Sequence, residues 1–265
     1  NPVGNGTVIP ENKAFGSIGK SIMLEQPNIE FHFIDLDFET GSDRIAEELQ
    51  YSKQEYEIVY RNNKRMVAKI QEVSEGNKAA AVFKENGTYV ITGGLGDLGL
   101  VVANHIADTV KANIVLLGRT ILPDKESWKD EALHNDKINE LLAIEKKGVT
   151  VAYISADVTR QESLEAAFLE IRQKFGAVHG VIHAAGIAGR GLFLNKELKQ
   201  AESVIAPKIK GTFLLNQVTR EDKLDFMLLF SSVTSLLGGL GQSDYTVGNA
   251  YLDSFQGYHK TYTVN

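Results

Sequence analysis

The sequence lacks cysteine, any excess of basic residues and any long apolar run. With no cysteine among its 265 residues, the chain has no disulfide, no cysteine nucleophile and no thiolate metal ligand. Its formal net charge of -6 at pH 7 comes without a basic block that would follow a phosphate backbone, so we expect no nucleic-acid partner. No apolar run reaches transmembrane length, and we therefore expect a cytoplasmic protein with no membrane partner.

Short apolar runs alternate with segments of helical periodicity along most of the chain. The predicted strands cover residues 88–92, 113–117, 149–154, 178–183 and 227–230, with the start of another at 261–265. The predicted helices cover residues 100–110, 137–147, 161–175, 199–216 and 245–260, and residues 122–136 are predicted to be a polar surface excursion. Buried strands separated by helices predict an α/β fold, a doubly wound Rossmann-type parallel sheet with helices on both faces.

The first 78 residues do not form a complete domain by themselves. Residues 14–24 have helical spacing, and residues 45–49 suggest a short helix. Residues 30–37 and a hairpin at 57–70 around Asn62 and Asn63 have the pattern of strands. Because these elements cannot enclose a core, we predict a partial unit at residues 1–78 and a main unit at residues 79–265, joined by a polar linker at residues 75–87.

The predicted strand at residues 88–92 is followed by GGLGDLG, which contains the spacing G-x-G-x-x-G. Three glycines alone often indicate only a turn. Between a strand and a helix, however, they are typical of a dinucleotide site, because they allow a tight turn and bring backbone N–H groups close to a pyrophosphate. The candidate cofactor-binding residues of this turn are Thr92, Gly93, Gly94, Gly96, Leu98 and Gly99.

Arg119 directly follows the second predicted strand of the main unit and favours NADPH as the cofactor. An acidic residue at this position would bind the ribose 2′-hydroxyl of NADH, whereas a guanidinium suits the 2′-phosphate of NADPH. The alternative is a loop arginine that only contacts solvent. A little further on, Asp157 precedes the helix at residues 161–175, where it has the chemistry of a helix cap.

Residues with the chemistry for carbonyl reduction lie in the stretch MLLFSSVTSLLGGLGQSDYTVGNAYLD. Ser232 follows a predicted buried strand, and Tyr245 begins a helix that Ser243 or Asp244 can cap. Tyr245 and Asn249 are four residues apart and share one helix face. A hydroxyl at a strand end and a phenol at a helix start can meet in one pocket, where one holds a carbonyl oxygen and the other protonates it.

Together with Lys208 in the segment APKIKGT, these residues resemble the active-site pattern of polyketide-synthase ketoreductase domains. Those domains belong to the short-chain dehydrogenase/reductase superfamily, whose ordinary members have a lysine four residues after the tyrosine. Here that position is Asn249 and the lysine is Lys208, an exchange that marks the polyketide and animal fatty-acid synthase ketoreductases. Asp97 is a departure, since the family usually has glycine there.

The resemblance implies NADPH-dependent reduction of a β-ketoacyl thioester tethered to an acyl carrier protein, next to other synthase domains. Tyr245 would donate the proton, and Ser232 would hydrogen-bond the carbonyl oxygen. Lys208 would favour the phenolate, and Asn249 would position Lys208 or a water molecule in a proton relay. No metal is needed, because the nicotinamide supplies the hydride and the hydroxyls supply the polarisation.

The resemblance also assigns the remaining candidate residues. Asp157 and the adjacent Val158 would face the adenine ring, and the HAAG-like turn of Ala184, Ala185 and Gly186 would lie against the ribose and nicotinamide. Residues 1–78 resemble the second half of the family's structural subdomain, a degenerate Rossmann-like unit without cofactor. We expect the first half of that subdomain and a C-terminal lid to be missing from the sequence.

Two other functions stay open at this point. One is a non-reducing ketoreductase-like scaffold or docking domain, against which the complete set of four polar residues argues. The other is a free-standing short-chain dehydrogenase for a small alcohol, against which the N-terminal unit and the exchange of lysine and asparagine argue. For residues 1–78, the alternative is a small α+β appendage of unrelated origin.

The same resemblance bears on the configuration of the product. Family members that form the D-alcohol usually carry Leu-Asp-Asp after the HAAG-like turn, and here those positions are Ala188, Gly189 and Arg190. Members that form the L-alcohol often have tryptophan eight residues before the tyrosine, and here that position is Leu237. Since Arg190 cannot reproduce an aspartate's contacts, we expect an L-configured hydroxyl.

Overall fold

The structure is a computed structural model that describes residues 9–51, 55–72, 82–131, 135–255 and 261–264. The described residues form a three-stranded sheet in the N-terminal part of the chain and a six-stranded parallel sheet in the rest. The predicted boundary at residues 78 and 79 lies outside the described residues.

The N-terminal sheet is built on one parallel and one antiparallel strand pair. Its elements are α1 (Pro10–Glu25), β1 (Phe33–Leu36), α2 (Asp43–Tyr51), β2 (Glu57–Arg61) and β3 (Lys64–Val67). β1 pairs with β2 in parallel, and β2 pairs with β3 antiparallel. The predicted hairpin is confirmed: Asn62 and Asn63 have φ values of 51° and 57°, as a two-residue type I′ turn requires.

The main unit alternates strands and helices as predicted. Its strands are β4 (Thr88–Thr92), β5 (Asn113–Gly118), β6 (Thr150–Ser155), β7 (Gly180–His183), β8 (Phe226–Phe230) and β9 (Thr261–Val264). Its helices are α3 (Asp97–Thr109), α4 (Trp128–Glu131), α5 (Asp136–Glu145), α6 (Gln161–Phe175), α7 (Leu198–Val218), α8 (Thr234–Leu237) and α9 (Ser243–Ser254). None of the helices in the described part of the chain is long and apolar enough to cross a membrane.

The strand order of the large sheet places a switch point between β4 and β7. The order is β6-β5-β4-β7-β8-β9, with every neighbouring pair parallel. The chain runs outward through β5 and β6 and then returns to the other side of β4, which confirms the predicted doubly wound fold. Ligands of such sheets bind in the crevice at the carboxyl ends of the strands beside the switch point.

Both faces of the large sheet are covered by apolar side chains. On β4, Val90 belongs to one core cluster, whereas Tyr89 and Ile91 belong to the cluster on the other face. All three side chains are fully buried. This pattern explains why the strands have continuous apolar runs rather than alternating ones.

The N-terminal helix α1 packs on α9, the helix that carries Tyr245. Ala14 is 2% exposed and belongs to the same core cluster as Tyr251 and Phe255 of α9. Further along α1, the Ser21 hydroxyl lies 3.0 Å from the hydroxyl of Thr246. The N-terminal unit and the main unit therefore share a packed contact.

Three local predictions are corrected by the structure. The predicted surface excursion at residues 122–136 contains Trp128, whose side chain is 3% exposed and donates a hydrogen bond to the Pro123 carbonyl. The glycine-punctuated loop before α9 contains the short helix α8. α9 begins two residues earlier than predicted, so Ser243 and Asp244 lie within its first turn rather than before it, and Asp244 Oδ1 accepts the Tyr245 N–H at 2.9 Å.

The structure describes the predicted linker and the predicted last helix only in part. Residues 75–81 of the linker and residues 256–260 of the helix lie outside the described residues. The described end of the linker is packed, because the Phe83 ring meets the Tyr89 ring edge-on at 5.1 Å. The predicted strand at residues 261–265 is confirmed for Thr261–Val264, which pairs with β8.

Candidate active site

The glycine turn after β4 approaches the turn after β7 closely. Gly93 has φ +67°, and a Cβ added there would lie 2.8 Å from the Ala184 carbonyl oxygen. A Cβ added at Gly99 would lie 2.5 Å from the Gly93 carbonyl oxygen. Both positions therefore exclude a side chain, and the backbone of the turn stays open at the start of α3.

The N-terminus of α3 has the features of a phosphate site. The first helical hydrogen bond runs from Leu100 N–H to the Gly96 carbonyl, so the preceding N–H groups have no partner within the helix. Gly96 provides no side-chain cap, and Asp97 and Leu98 are exposed. Unpaired N–H groups and the helix dipole together favour an anion, so this turn fits the pyrophosphate of a dinucleotide.

His183 and Thr92 hold the ends of β4 and β7 together. Burial, aided by the charge of Lys208, lowers the pKa of His183 to about 3, so its ring is neutral. Its Nε2–H donates to the Pro207 carbonyl at 3.0 Å, which leaves Nδ1 to accept from the Thr92 hydroxyl at 2.6 Å. The Ala185 N–H in turn donates to the Thr92 hydroxyl. His183 is thus a packed strand-end residue with both ring nitrogens engaged, rather than a base.

Arg119 and Asp157 lie at the ends of β5 and β6. Arg119 is exposed directly after β5. The Asp157 carboxylate accepts hydrogen bonds from the Thr159 N–H at 2.9 Å and the Thr159 hydroxyl at 2.8 Å. Burial would raise the pKa of Asp157, but these bonds and the charge of Arg119 leave it lowered. The possible role of Asp157 as the cap of α6 is wrong, because α6 begins without a side-chain cap and Asp157 instead holds the turn before it.

Lys208 is buried against Tyr245. Its side chain projects from α7, is 5% exposed, and donates a hydrogen bond from Nζ to the Phe230 carbonyl at 3.1 Å. Nζ lies 5.3 Å from the centroid of the Tyr245 ring. Burial lowers the pKa of Lys208 to about 8, although the charge of Asp253 opposes that shift.

Two glycines leave room for the aliphatic part of the Lys208 side chain. A Cβ added at Gly186, after β7, would lie 3.2 Å from Lys208 Cε, and one added at Gly248, on α9, would lie 3.0 Å from Cδ. The stem therefore runs between the HAAG-like turn and α9. This arrangement brings Lys208 next to the segment Ala184–Ala185–Gly186.

The end of β8 is surrounded by three further polar residues: Ser231 and Ser232 follow the strand, and Asn249 lies on α9. The Ser231 hydroxyl donates to the Asn249 carbonyl at 3.1 Å, which ties the strand end to α9. The Ser232 hydroxyl oxygen accepts from the Thr234 N–H at 3.3 Å, so its own hydrogen remains available to another acceptor. Asn249 is fully buried, and its Nδ2 donates to the Tyr245 carbonyl at 2.8 Å. Within the described residues, Asn249 Oδ1 has no hydrogen-bond partner.

The predicted site residues thus fall into three groups. Lys208, Tyr245, Asn249 and the serine loop lie together at the end of β8. The glycine turn and the segment Ala184–Ala185–Gly186 lie beside them at the ends of β4 and β7, with the buried Val158 packed near α7. Arg119 and Asp157 follow the outer strands β5 and β6.

Sequence reasoning missed two features of this region. One is Ser231, for which the adjacent serines in SSVT were a signal. The other is a buried ion pair between Lys196 and Asp244, whose atoms Nζ and Oδ1 lie 2.9 Å apart. An aspartate directly before the tyrosine was visible in the sequence, but nothing in the pattern indicated its partner.

Comparison with known proteins decides the family. A family model described as "KR domain" matches residues 87–264. This chain belongs to the ketoreductase domains of polyketide synthases. The resemblance drawn from the motif is therefore confirmed, and ketoreductases of this superfamily use nicotinamide cofactors.

The relatives of this ketoreductase are much longer proteins. Polyketide synthase PksN of Bacillus subtilis (strain 168) is 32% identical over 244 residues, which are 90% of this chain and 4% of that protein. The 6-methylsalicylic acid synthase of Aspergillus niger is 33% identical over 255 residues, 94% of this chain and 14% of that protein. The chain thus spans a small fraction of the length of these curated relatives.

Solved structures agree with the family and the fold. A ketoreductase domain from the bacillaene assembly line superposes with a TM-score of 0.84 at 28% identity, covering 94% of this chain and 58% of that one. An N-terminal ketoreductase from the macrolactin assembly line superposes with a TM-score of 0.79 at 29% identity, covering 96% of this chain and 50% of that one.

Proposed function

We propose that this ketoreductase reduces a β-ketoacyl thioester carried by an acyl carrier protein to the β-hydroxyacyl thioester, with NADPH as the reductant. The observation that carries the proposal is the buried ammonium of Lys208, 5.3 Å from the Tyr245 ring, at the end of β8 and beside the switch point of a doubly wound sheet. The chain covers a small part of polyketide synthases, which supports neighbouring synthase domains as further partners.

The cofactor would lie across the carboxyl ends of β4, β5 and β7. The N–H groups at the start of α3 would hold its pyrophosphate, Arg119 its 2′-phosphate, and Asp157 with Val158 its adenine. The segment Ala184–Ala185–Gly186 would face the ribose and nicotinamide. When bound, NADPH supplies the hydride.

The chain's own residues would handle the carbonyl oxygen and the proton. Tyr245 would donate a proton to that oxygen, and Ser232 would donate a hydrogen bond to it as negative charge develops. Ser232 is suited to this role because its oxygen already accepts from the Thr234 N–H.

Lys208 and Asn249 would support the proton transfer. The Lys208 ammonium is attracted to the phenolate that forms when Tyr245 gives up its proton. One of its hydrogens is held by the Phe230 carbonyl, and the others are available to Tyr245 or a water molecule. The unpaired, buried Oδ1 of Asn249 offers an acceptor for Lys208 or for such a water molecule.

Tyr245→Phe tests the assignment. We expect it to abolish NADPH consumption with a β-ketoacyl thioester mimic while NADPH still binds, because only a transition-state interaction is removed. The matched control is Tyr60→Phe, which removes a hydroxyl that donates to Glu48 in the N-terminal unit and should leave turnover unchanged. Near-normal turnover by Tyr245→Phe would disprove the role, and an unmutated chain that binds NADPH but never oxidises it would favour a non-reducing scaffold.

For the product we propose the L-configured hydroxyl. The family's D-type aspartate has no room at Gly189, where an added Cβ would overlap the Asp244 carboxylate. Leu237, at the position of the L-type tryptophan, is 60% exposed at the end of α8, where it can line the substrate groove. Chiral chromatography of the reduced thioester is the test, and a predominantly D product would overturn this proposal.

A further inference from the structure

The backbone of Gly241, four residues before Tyr245, is bound on both sides by charged side chains. Its N–H donates to Glu25 Oε1 at 3.1 Å, and its carbonyl accepts from Lys196 Nζ at 3.3 Å. Gly241 is buried and has φ +72°, a left-handed conformation that depends on glycine. Two charges from distant segments thus fix one glycine of the loop that leads into α9.

Lys196 connects this loop to the first turn of α9. Its side chain is 5% exposed and forms an ion pair at 2.9 Å with Oδ1 of Asp244, whose side chain is 1% exposed. The same Oδ1 accepts the Tyr245 N–H at 2.9 Å. Lys196 also donates to the Arg190 carbonyl at 3.2 Å. One ammonium therefore joins the β7–α7 loop, the Gly241 backbone and the residue adjacent to Tyr245.

Glu25 makes the corresponding connection from the end of α1. Its Oε2 accepts the Phe193 N–H at 2.6 Å, while Oε1 accepts the Gly241 N–H. The carboxylate thus bridges the same two loops that Lys196 bridges, but through their N–H groups. The N-terminal unit in this way contributes a charged group to the surroundings of the active site.

We propose that Glu25, Lys196 and Asp244 are positioning residues that together hold Gly241 and the first turn of α9, and so fix Tyr245 for proton transfer. We name this set the Gly241 clamp. Its catalytic consequence rests on the proposed function, in which Tyr245 is the acid. The reason for expecting an effect is geometric: a shift of about 1 Å in a catalytic group can lower a rate about 100-fold.

The first test removes the charges one at a time. We expect Lys196→Met and Asp244→Asn each to lower kcat for the thioester mimic about 10–100-fold, while the KM for NADPH changes less than about threefold, because the candidate pyrophosphate, 2′-phosphate and adenine sites follow β4, β5 and β6 rather than β7. Lys199→Met is the matched control: it removes an exposed lysine three residues along the chain and should leave kcat unchanged. A single variant with kcat within about twofold of the unmutated chain contradicts the proposal.

A double variant separates positioning from stability. Replacing both members of a buried ion pair by apolar residues generally preserves folding, whereas removing one leaves an uncompensated charge. We therefore expect Lys196→Met/Asp244→Leu to recover the unmutated Tm while kcat stays low. Recovery of both Tm and kcat would show that the pair is only structural and would overturn the proposal.

Amide hydrogen exchange gives a readout that does not depend on turnover. Glu25→Gln keeps the shape of the side chain but replaces one acceptor oxygen by an NH2 group, so at least one of the Phe193 and Gly241 amides should exchange faster than in the unmutated chain. The control amide is Leu100, which is bonded within α3 and should not change. Unchanged exchange at Phe193 and Gly241 would refute the clamp. If the unmutated chain does not reduce the thioester, the proposed function fails, yet this measurement still decides whether the clamp exists.

Discussion

At the scale of single residues, Lys208 combines a proposed role in the reaction with a cost to folding. A lysine with 5% exposure loses most of its hydration, and for that reason burial lowers its pKa from 10.5 to about 8. The lowered pKa corresponds to about 3 kcal/mol of unfavourable free energy for the charged form. Active sites commonly retain such groups because the chemistry needs them.

Lys208→Met should therefore stabilise the fold while it impairs reduction. At pH 7 we expect the variant's free energy of unfolding to be higher by about 2 kcal/mol, because loss of the hydrogen bond to the Phe230 carbonyl offsets about 1 kcal/mol of the gain. Urea unfolding measures this difference, and thioester-dependent NADPH oxidation measures the activity. Lys210→Met, an exposed lysine on the same helix, is the control.

The difference between Lys208→Met and the unmutated chain should also depend on pH. Below pH 8 both the folded and the unfolded chain carry the Lys208 charge, so the burial cost is fully present. Because the folded pKa of Lys208 is the lower one, the folded chain releases its proton first, and the unmutated chain gains stability as pH rises from about 8 to 10.5. The variant's advantage should shrink over this range, and an advantage that grows with pH would contradict the assigned pKa.

Arg119 governs cofactor choice in the proposed function. Arg119→Ala should weaken NADPH binding about 10–100-fold, the effect of losing a hydrogen bond between two charged groups, and should leave NADH binding nearly unchanged. Lys129→Ala, another exposed cation of the main unit, is the control. Equal affinities of the unmutated chain for the two cofactors, measured by fluorescence titration, would argue against the 2′-phosphate contact.

At the scale of elements, the turn between β4 and α3 depends on the absence of side chains. Gly93→Ala should weaken NADPH binding and the fold together, because an added Cβ both strains the φ of +67° and meets the Ala184 backbone. Gly176→Ala is a matched control: Gly176 has φ +76° after α6, but a Cβ there meets nothing within 4 Å. The control should lose about 1–3 kcal/mol of stability through backbone strain alone and keep its cofactor affinity. Equal losses in the two variants would mean that backbone strain alone explains the effect.

Elements with strong periodicity were predictable, whereas those held by distant contacts were not. Strands β4, β5 and β8 have uninterrupted apolar runs because both faces are buried, and their bounds agree closely with the pattern. The helix α8 has four residues in a glycine-rich stretch, where no helical period can be recognised. Trp128 is buried although its neighbours are polar, because its ring packs in the core cluster that contains Tyr89 and Ile91.

At the scale of the whole molecule, α1 joins the N-terminal unit to the helix that carries Tyr245. Ala14→Asp places a charge in the core cluster shared with Tyr251 and Phe255, and should lower the free energy of unfolding by at least about 3 kcal/mol. Phe15→Asp is the control, since Phe15 is 74% exposed and the change should stay within about 0.5 kcal/mol.

The same pair of variants tests whether the two units unfold together. If α1 belongs to one cooperative structure with α9, Ala14→Asp should lower equally the unfolding free energies reported by fluorescence of Trp128 in the main unit and by amide exchange of the buried Ile58 in β2 of the N-terminal unit. A shift in only one of them would mean that the N-terminal unit unfolds independently of α9.

The sequence by itself determined the class of fold, the glycine turn after β4 and the four polar residues of the candidate site. These features are written in local periodicity and short spacings, such as the glycines after β4 or the four-residue interval between Tyr245 and Asn249, which the backbone converts directly into geometry. The burial of Lys208, the contact of α1 with α9 and the Gly241 clamp were decided only by the tertiary structure. Glu25 and Gly241, for example, are 216 residues apart in the chain, and side chains so distant meet only through the packing of the helices and loops between them, which leaves no periodic signal in the sequence.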